Sequence, residues 1–300
     1  MVGCTASGKS AVALAAARSL SEAGPPVELV SVDSMQVYRG MDVGTAKPTA
    51  EERAEIPHHL IDLVDPGEDF TVARYQRAMT ETLADIERRG RRALLVGGTG
   101  LYLQAVVDGL TPPGRYPEVR ATLDAEPSTE ALYRRLRTLD PAAASLIEPA
   151  NRRRVVRALE VGLGSGRLFS SWGPGIGSYP VTTFRLAGLW LPRPVLARRI
   201  HQRFEAMVAA GLVDEVRALS ARPDGWSRTA RQALGYREVL AHVEAGVPLD
   251  EALAEAVRRT RRFARRQRMW WRRDPRITWF GAEENPLAVL PALLGDWSQP

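Results

Sequence analysis

Residues Gly3-Cys4-Thr5-Ala6-Ser7-Gly8-Lys9-Ser10 follow the spacing G-x-x-x-x-G-K-[ST]. Glycines at both ends let the backbone curl until its N–H groups converge on phosphate oxygens. A helix starting behind them adds its positive dipole end. That helix is predicted at once, over residues 11–20, a strong helix-forming run. Lys9 is expected to neutralise a terminal phosphate and Ser10 to offer its hydroxyl to Mg²⁺. The competing reading is a chance match in a Gly/Ala/Ser-rich stretch, but Lys9 is one of only two lysines in 300 residues. Only Met1 and Val2 precede Gly3, fewer than the strand that normally feeds such a loop. A start placed late, or a trimmed chain, is the expected reason.

Beyond the loop, the first third alternates short apolar runs with helical stretches, as a parallel α/β sheet does. Residues 27–32 and 93–96 read as strands, and 73–88 and 101–107 as helices. From Thr111-Pro112-Pro113 the character changes. Stretches 117–125, 129–139, 141–147 and 152–162 all read as helical, with no β-rich run among them. A Gly/Ser-rich loop over 164–180 follows, then a strand over 183–191 that returns the chain to the first sheet. Residues 194–219, 231–245 and 249–273 complete a helical C-terminal third. The expected fold is therefore α/β, a P-loop NTPase-like parallel-sheet core over 1–111 and 181–300. Residues 112–180 form a helical insertion.

Several classes are excluded early. No window approaches the ~18 consecutive apolar residues of a membrane span. The single Cys4 rules out an intrachain disulfide framework and any multi-thiolate zinc site. No basic segment leads into an apolar one at the N-terminus, so a cytoplasmic monomer is expected.

Charge is informative by position. With Lys9 and Lys47 set aside, 39 of the 41 cationic residues are arginines. Nine lie between 258 and 273, a stretch with no acidic residue; taking nine from the formal +6 leaves −3 elsewhere. Within this stretch Val257, Thr260, Ala264, Gln267 and Trp271 recur at helical spacing, so one side packs while arginines on the others meet phosphates. A solvated arginine face is the bland alternative. Trp270-Trp271 read as core rather than as stacking partners for bases.

The strand over 27–32 ends at Asp33, whereas the strand over 93–96 runs into Gly97-Gly98-Thr99-Gly100 with no carboxylate. In a parallel sheet both ends face the ligand crevice, beside the phosphate loop. Asp33 there can act as a base or an indirect metal ligand; its competing reading is a turn cap. For Thr99 an ordinary Gly-rich turn remains open. His58-His59 point to opposite sides of an extended segment, so hydrogen bonding suits them better than shared metal coordination.

The phosphate loop, Asp33-Ser34-Met35-Gln36 running on through Val37 to Pro48, and Pro57-His58-His59-Leu60 together resemble the tRNA dimethylallyltransferase (isopentenyl-diphosphate:tRNA transferase) family. The resemblance continues through Gly97 to Tyr102, Arg157-Ala158-Leu159-Glu160, Arg203-Phe204, Gly211 to Val216, Arg231 to Tyr236, Arg265-Arg266-Gln267 and Trp270. The segment from Asp33 to Pro48 is highly specific; the phosphate loop alone is not. Departures are Cys4 where proline is usual, the short first strand, and arginines in place of lysines near Arg265.

The resemblance implies transfer of a dimethylallyl group from dimethylallyl diphosphate to the exocyclic amine of the adenosine 3′-adjacent to the anticodon, with Mg²⁺ as cofactor. It assigns Asp33, Thr99 and Arg203 to catalysis, and the loop residues Gly3, Cys4, Thr5, Ala6, Ser7, Gly8, Lys9 and Ser10 to the diphosphate. Contacts to the tRNA anticodon stem-loop fall to Asp33, Ser34, Met35, Gln36, Thr99, Arg120, Arg153, Arg154, Val155, Val156 and Arg157. Arg231, Gln232, Ala233, Leu234, Gly235 and Tyr236 join them. A P-loop small-molecule kinase is the alternative, and a noncatalytic RNA-binding protein a third class.

Overall fold

In the computed structural model, which describes residues 1–173 and 175–298, six parallel strands form one sheet. They are β1 (Val2–Gly3), β2 (Val27–Val32), β3 (His58–His59), β4 (Arg92–Gly97), β5 (Leu186–Trp190) and β6 (Ile277–Gly281), in the order β3-β2-β4-β1-β5-β6. Every residue of β2 is buried, as in a strand covered on both faces. Two residues suffice for β1 because it is central: Val2 registers with Gly97 of β4 and Gly188 of β5.

Helices α1 (Lys9–Glu22), α2 (Ala50–Glu55), α3 (Val72–Arg88) and α4 (Gly100–Val107) precede a separate unit of residues 108–180. That unit holds α5 (Pro117–Ala125), α6 (Thr129–Leu139), α7 (Pro141–Ser145) and α8 (Arg152–Ser165), around its own core of Leu123, Leu132, Leu136, Val155, Val156 and Leu159. Its first residue is Asp108, four earlier than the composition change suggests. Then come α9 (Arg193–Ala209), α10 (Leu212–Ser220), α11 (Tyr236–Ala245), α12 (Leu249–Trp271) and α13 (Leu290–Trp297). One sheet face packs α1 through Val12, Ala13 and Ala16 against Leu29 and Leu189. The other packs Tyr75, Met79, Tyr102 and Trp271 against Val30, Val32 and Leu95. No described helix is long and apolar enough to cross a membrane.

Three expectations are corrected. The strand over 183–191 is confined to β5. The helix over 194–219 breaks at Gly211, whose φ of +93° is open to glycine and strained for other residues. The helix over 231–245 begins only at Tyr236, because a single 3₁₀ turn over Ala230–Gln232 ends at Ala233, whose ψ is 136°, and Gly235 at φ +88° caps the helix that follows. Strand β6 and helices α2 and α13 add to the predicted set.

At the edge remote from the strand C-termini, Glu28 of β2 is fully buried beneath two arginines and a histidine. Arg89 grips it with two bonds of 2.5 and 2.7 Å, Arg91 donates at 2.8 Å, and His59 Nε2 lies 2.7 Å away. The Arg89 guanidinium holds this carboxyl at about 2, against a burial that pushes it up and with help from His59. His58 bonds instead to the Ile56 carbonyl at 2.7 Å. Because the folded carboxyl titrates below its unfolded counterpart, its stabilisation is present above ~4.3 and lost as pH falls toward 2. Glu28→Ala removes the shared partner of Arg89, Arg91 and His59, though Arg89 keeps Asp85 at 2.8 Å, and is expected to lower stability. Urea unfolding at neutral pH checks this; a parent-like midpoint would refute it.

Candidate active site

The phosphate loop leaves β1 at Gly3, where a Cβ would meet the Ser7 hydroxyl at 2.8 Å and the Leu189 carbonyl at 3.2 Å. Gly8, at φ +86°, caps α1; a Cβ there would also strike Pro286 at 2.4 Å. The turn is closed by Ser7 N–H donating to the Cys4 carbonyl at 3.2 Å. Lys9 and Arg203 both face Asp33. Burial lowers the pKa of each, and the Asp33 carboxylate counters that by holding their charge. Arg203 also reaches the Thr5 hydroxyl at 3.5 Å.

These groups line a cavity of about 510 Å³ that also takes in Ser10, Ser34, Met35, Gln36 and Thr99. Part of its wall is apolar, from Ile200, Phe204 and Met207 of α9 with Phe263 of α12. Of those four, only Phe204 falls in a block singled out in the sequence, Arg203-Phe204.

Asp33 is both a turn cap and a cavity-lining residue. One oxygen accepts from the Met35 N–H at 2.8 Å, capping a turn, while the carboxylate faces the cavity. Thr99, expected at the catalytic centre, lines the same cavity. Its hydroxyl accepts from the Ser34 N–H at 3.1 Å and donates to the Ser34 hydroxyl at 3.4 Å. It therefore fixes the backbone one residue past the carboxylate, not the carboxylate itself. Gln36 is tied down by Ser31 at 2.7 Å and by the carbonyls of Thr45 and Ala46.

The second lysine is structural. Lys47 Nζ donates to the Tyr38 carbonyl, Asp42 and Asp62 at 2.5–2.6 Å, which pins the segment carrying the cavity wall. Glu215 of α10 pins the same segment from outside. It accepts from the N–H groups of Asp42, Val43 and Gly44 at 2.7–3.2 Å and from the Tyr236 hydroxyl at 2.5 Å. A Cβ on Gly44 would sit 2.4 Å from the Tyr236 ring.

Several residues expected at an RNA face are closed to it. Tyr236 is fully buried and committed to Glu215, and Gly235 is buried beside it, whereas Ala233, though little exposed, lines the cavity. Val155 and Val156 are core of the 108–180 unit. In that unit Arg157 is held by Glu160 at 2.8 Å and by the Pro113 carbonyl, and Arg120 by Asp124 at 2.8 Å. Arg153 and Arg154 stay exposed; Arg231 is exposed but paired with Glu244. Gln232 and Leu234 line the cavity.

Helix α12 buries Val257, Thr260, Ala264, Gln267 and Trp271, as the spacing predicts. Trp271 is core, and Trp270 lies against Gly100, where a Cβ would meet its Nε1 at 2.3 Å. Arg259, Arg262 and Arg266 project into the cavity lining. The packing stripe conceals Gln267, whose amide bonds both the phosphate loop and the 97–100 turn. A lone amide at an otherwise packed position was the signal for it.

A parallel sheet that brings a glycine-rich loop, its lysine and a carboxylate to one end defines a P-loop α/β phosphate-binding protein. The IPP transferase family profile matches residues 36–274, and the chain belongs to that family. It is 50% identical over 304 residues to the tRNA dimethylallyltransferase of Kineococcus radiotolerans, covering 98% of this chain and 94% of that one. The Bifidobacterium longum tRNA dimethylallyltransferase is 45% identical over 298 residues, 97% of this chain and 89% of its own. Among solved structures, the Bacillus halodurans tRNA isopentenylpyrophosphate transferase superposes with a TM-score of 0.70 at 37% identity, covering 99% and 94% of the two chains. A eukaryotic dimethylallyltransferase acting on tRNA gives 0.76 at 25% identity, over 94% and 73%.

Proposed function

We infer that this chain is a tRNA prenyltransferase, moving a dimethylallyl group from its diphosphate to the N6 amine of the adenosine 3′-adjacent to the anticodon. The observation that carries this is one cavity with two kinds of wall. Lys9 and Arg203 stand where an anionic leaving group needs charge, Asp33 where an amine needs a proton acceptor, and Ile200, Phe204, Met207 and Phe263 where a five-carbon chain needs apolar surface. The family membership carries the same reading.

In the step itself, the adenine amine bonds to C1 of the prenyl group as the C1–oxygen bond breaks. The bonding electrons leave with diphosphate and the amine proton passes to Asp33. Charge growing on the departing oxygens is met by Lys9, Arg203 and loop N–H groups already in place. The base must leave its stack to enter. Magnesium suits the site: the Ser10 hydroxyl, a hard oxygen, lines the cavity and would hold the ion beside the diphosphate. Bound there, the ion would neutralise leaving-group charge.

Parallel incubations of bulk tRNA with labelled dimethylallyl diphosphate or with labelled ATP test the reading. Label entering tRNA only with the prenyl donor supports it; phosphorylation of a small molecule from ATP would favour a kinase.

Docking of tRNA is expected to be electrostatic. Affinity should fall steeply with salt, with a slope of ~0.7–0.9 per phosphate neutralised. Charge reversal at two of Arg153, Arg154, Arg262 and Arg266 should weaken tRNA binding at least about tenfold and flatten that slope, with the diphosphate affinity of Arg153 and Arg154 variants unchanged. A salt-independent affinity would sink the electrostatic account.

A further inference from the structure

We propose that Gln267 is a positioning residue that rivets the donor half of the cavity to the acceptor half, and so sets the distance across which the prenyl group travels; this rests on the tRNA prenyltransferase reading. Its Oε1 accepts the Thr5 N–H at 2.8 Å and its Nε2 donates to the Gly98 carbonyl at 2.9 Å. Thr5 belongs to the loop that carries Lys9. Gly98 belongs to the turn that carries Thr99, which in turn fixes Ser34 beside Asp33. One side chain therefore ties together the two turns that hold the leaving group and the incoming base.

The other ties are a few bonds between β1 and β4, Met1 N to the Leu95 carbonyl at 2.6 Å and Gly97 N–H to the Met1 carbonyl at 3.2 Å. Strand β1, from which the loop emerges, registers with β4 at the single pair Val2 and Gly97. The Gln267 amide is 8% exposed, and a Cβ on Gly98 would lie 2.4 Å from its Nε2, so the turn is shaped to admit it. The helix behind it is braced on the same loop, with Cys4 Sγ donating to the Ala264 carbonyl at 3.2 Å. A terminal amide is the side-chain group of this length that offers a neutral acceptor and a neutral donor side by side. Misplacement of reacting groups by ~1 Å costs ~10²-fold in rate, while each substrate can still bind its own half.

Two variants test this. Gln267→Met keeps the length and removes both bonds; kcat is expected to fall about 10- to 100-fold, with KM for donor and for tRNA each within about threefold. Gln267→Glu supplies a reversible version. Ionised, the introduced carboxylate still accepts from Thr5 but sets an oxygen against the Gly98 carbonyl. Protonated, it donates to Gly98 and reproduces both bonds. Its kcat relative to the parent at each pH should therefore recover as pH falls, with both KM values near those of the parent throughout. Amide exchange at Thr5 should quicken in Gln267→Met, which reads the anchoring without any turnover. Parent-like kcat and Thr5 exchange in Gln267→Met, or a Gln267→Glu deficit that ignores pH, would overturn the proposal. A loss confined to donor KM would overturn it too. A parent enzyme that transfers no prenyl group to tRNA would overturn the functional reading instead, with the exchange result still deciding the anchoring. Should Gln267→Met fail to fold, the pH trend of Gln267→Glu decides alone.

Discussion

Lys9→Ala is expected to lower prenyl transfer by about 10²–10³-fold and to weaken diphosphate and dimethylallyl diphosphate binding, with tRNA affinity near that of the parent. The reasoning starts from where the charge has to be. As the carbon–oxygen bond breaks, negative charge accumulates on oxygens held at the loop, and a cation in place there is worth more in the transition state than in the ground state. Lys9 is suited to this because its surroundings are partly dry, which strengthens its field but also lowers its pKa. Asp33 opposes that lowering. A group whose charged form is needed, and whose pKa is lowered, loses its contribution as pH rises. Donor affinity of the parent should therefore weaken on the alkaline side, and Lys9→Ala should lack that limb. Titration of each protein with pyrophosphate across pH gives the measurement. Equal affinities throughout would place the donor site elsewhere.

What the sequence discloses about this site depends on how far apart the partners lie along the chain. The loop from Gly3 to Ser10 is legible because its geometry is local: two glycines, a lysine and a helix start at fixed offsets. The packed side of α12 is legible for the same reason, as Val257, Thr260, Ala264, Gln267 and Trp271 recur at helical period. Residue blocks carried over whole are less faithful. Arg153 to Arg157 lie on one helix, so alternate members turn inward, and Val155 and Val156 become core while Arg153 and Arg154 face solvent. Tyr236 goes the same way, because its hydroxyl meets a carboxylate 21 residues earlier. What Glu215 and Gln267 hold together escapes a sequence reading. The backbone groups they bond stand more than 160 residues away, and only the closed fold shows that a carboxylate caps three amides or that one amide spans two turns.

The sharpest mechanistic expectation concerns Asp33. An aromatic amine is a weak nucleophile because its lone pair is delocalised into the ring, so attack gains from a carboxylate that receives the proton as positive charge develops. General-base assistance of this kind is typically worth about 10²–10⁴-fold. The structure gives Asp33 a second occupation, since one of its oxygens accepts the Met35 N–H at 2.8 Å. Asn in its place can keep that bond through its carbonyl, so the turn and the fold should survive. What it cannot do is accept a proton, nor hold the charge on Lys9 and Arg203 by opposing their burial. Single-turnover transfer by Asp33→Asn should therefore fall at least about 10²-fold with near-normal tRNA affinity. The lost counter-charge adds a second signature. With Lys9 more readily deprotonated, donor binding by the variant should weaken at a lower pH than in the parent. Transfer at the parent rate would make Asp33 a turn cap alone and move the base elsewhere. Loss of tRNA binding with intact chemistry on the bound fraction would make it a nucleotide-positioning group. A deficit in rate joined to an earlier alkaline loss of donor binding fits a carboxylate that takes the proton and holds the neighbouring cations charged.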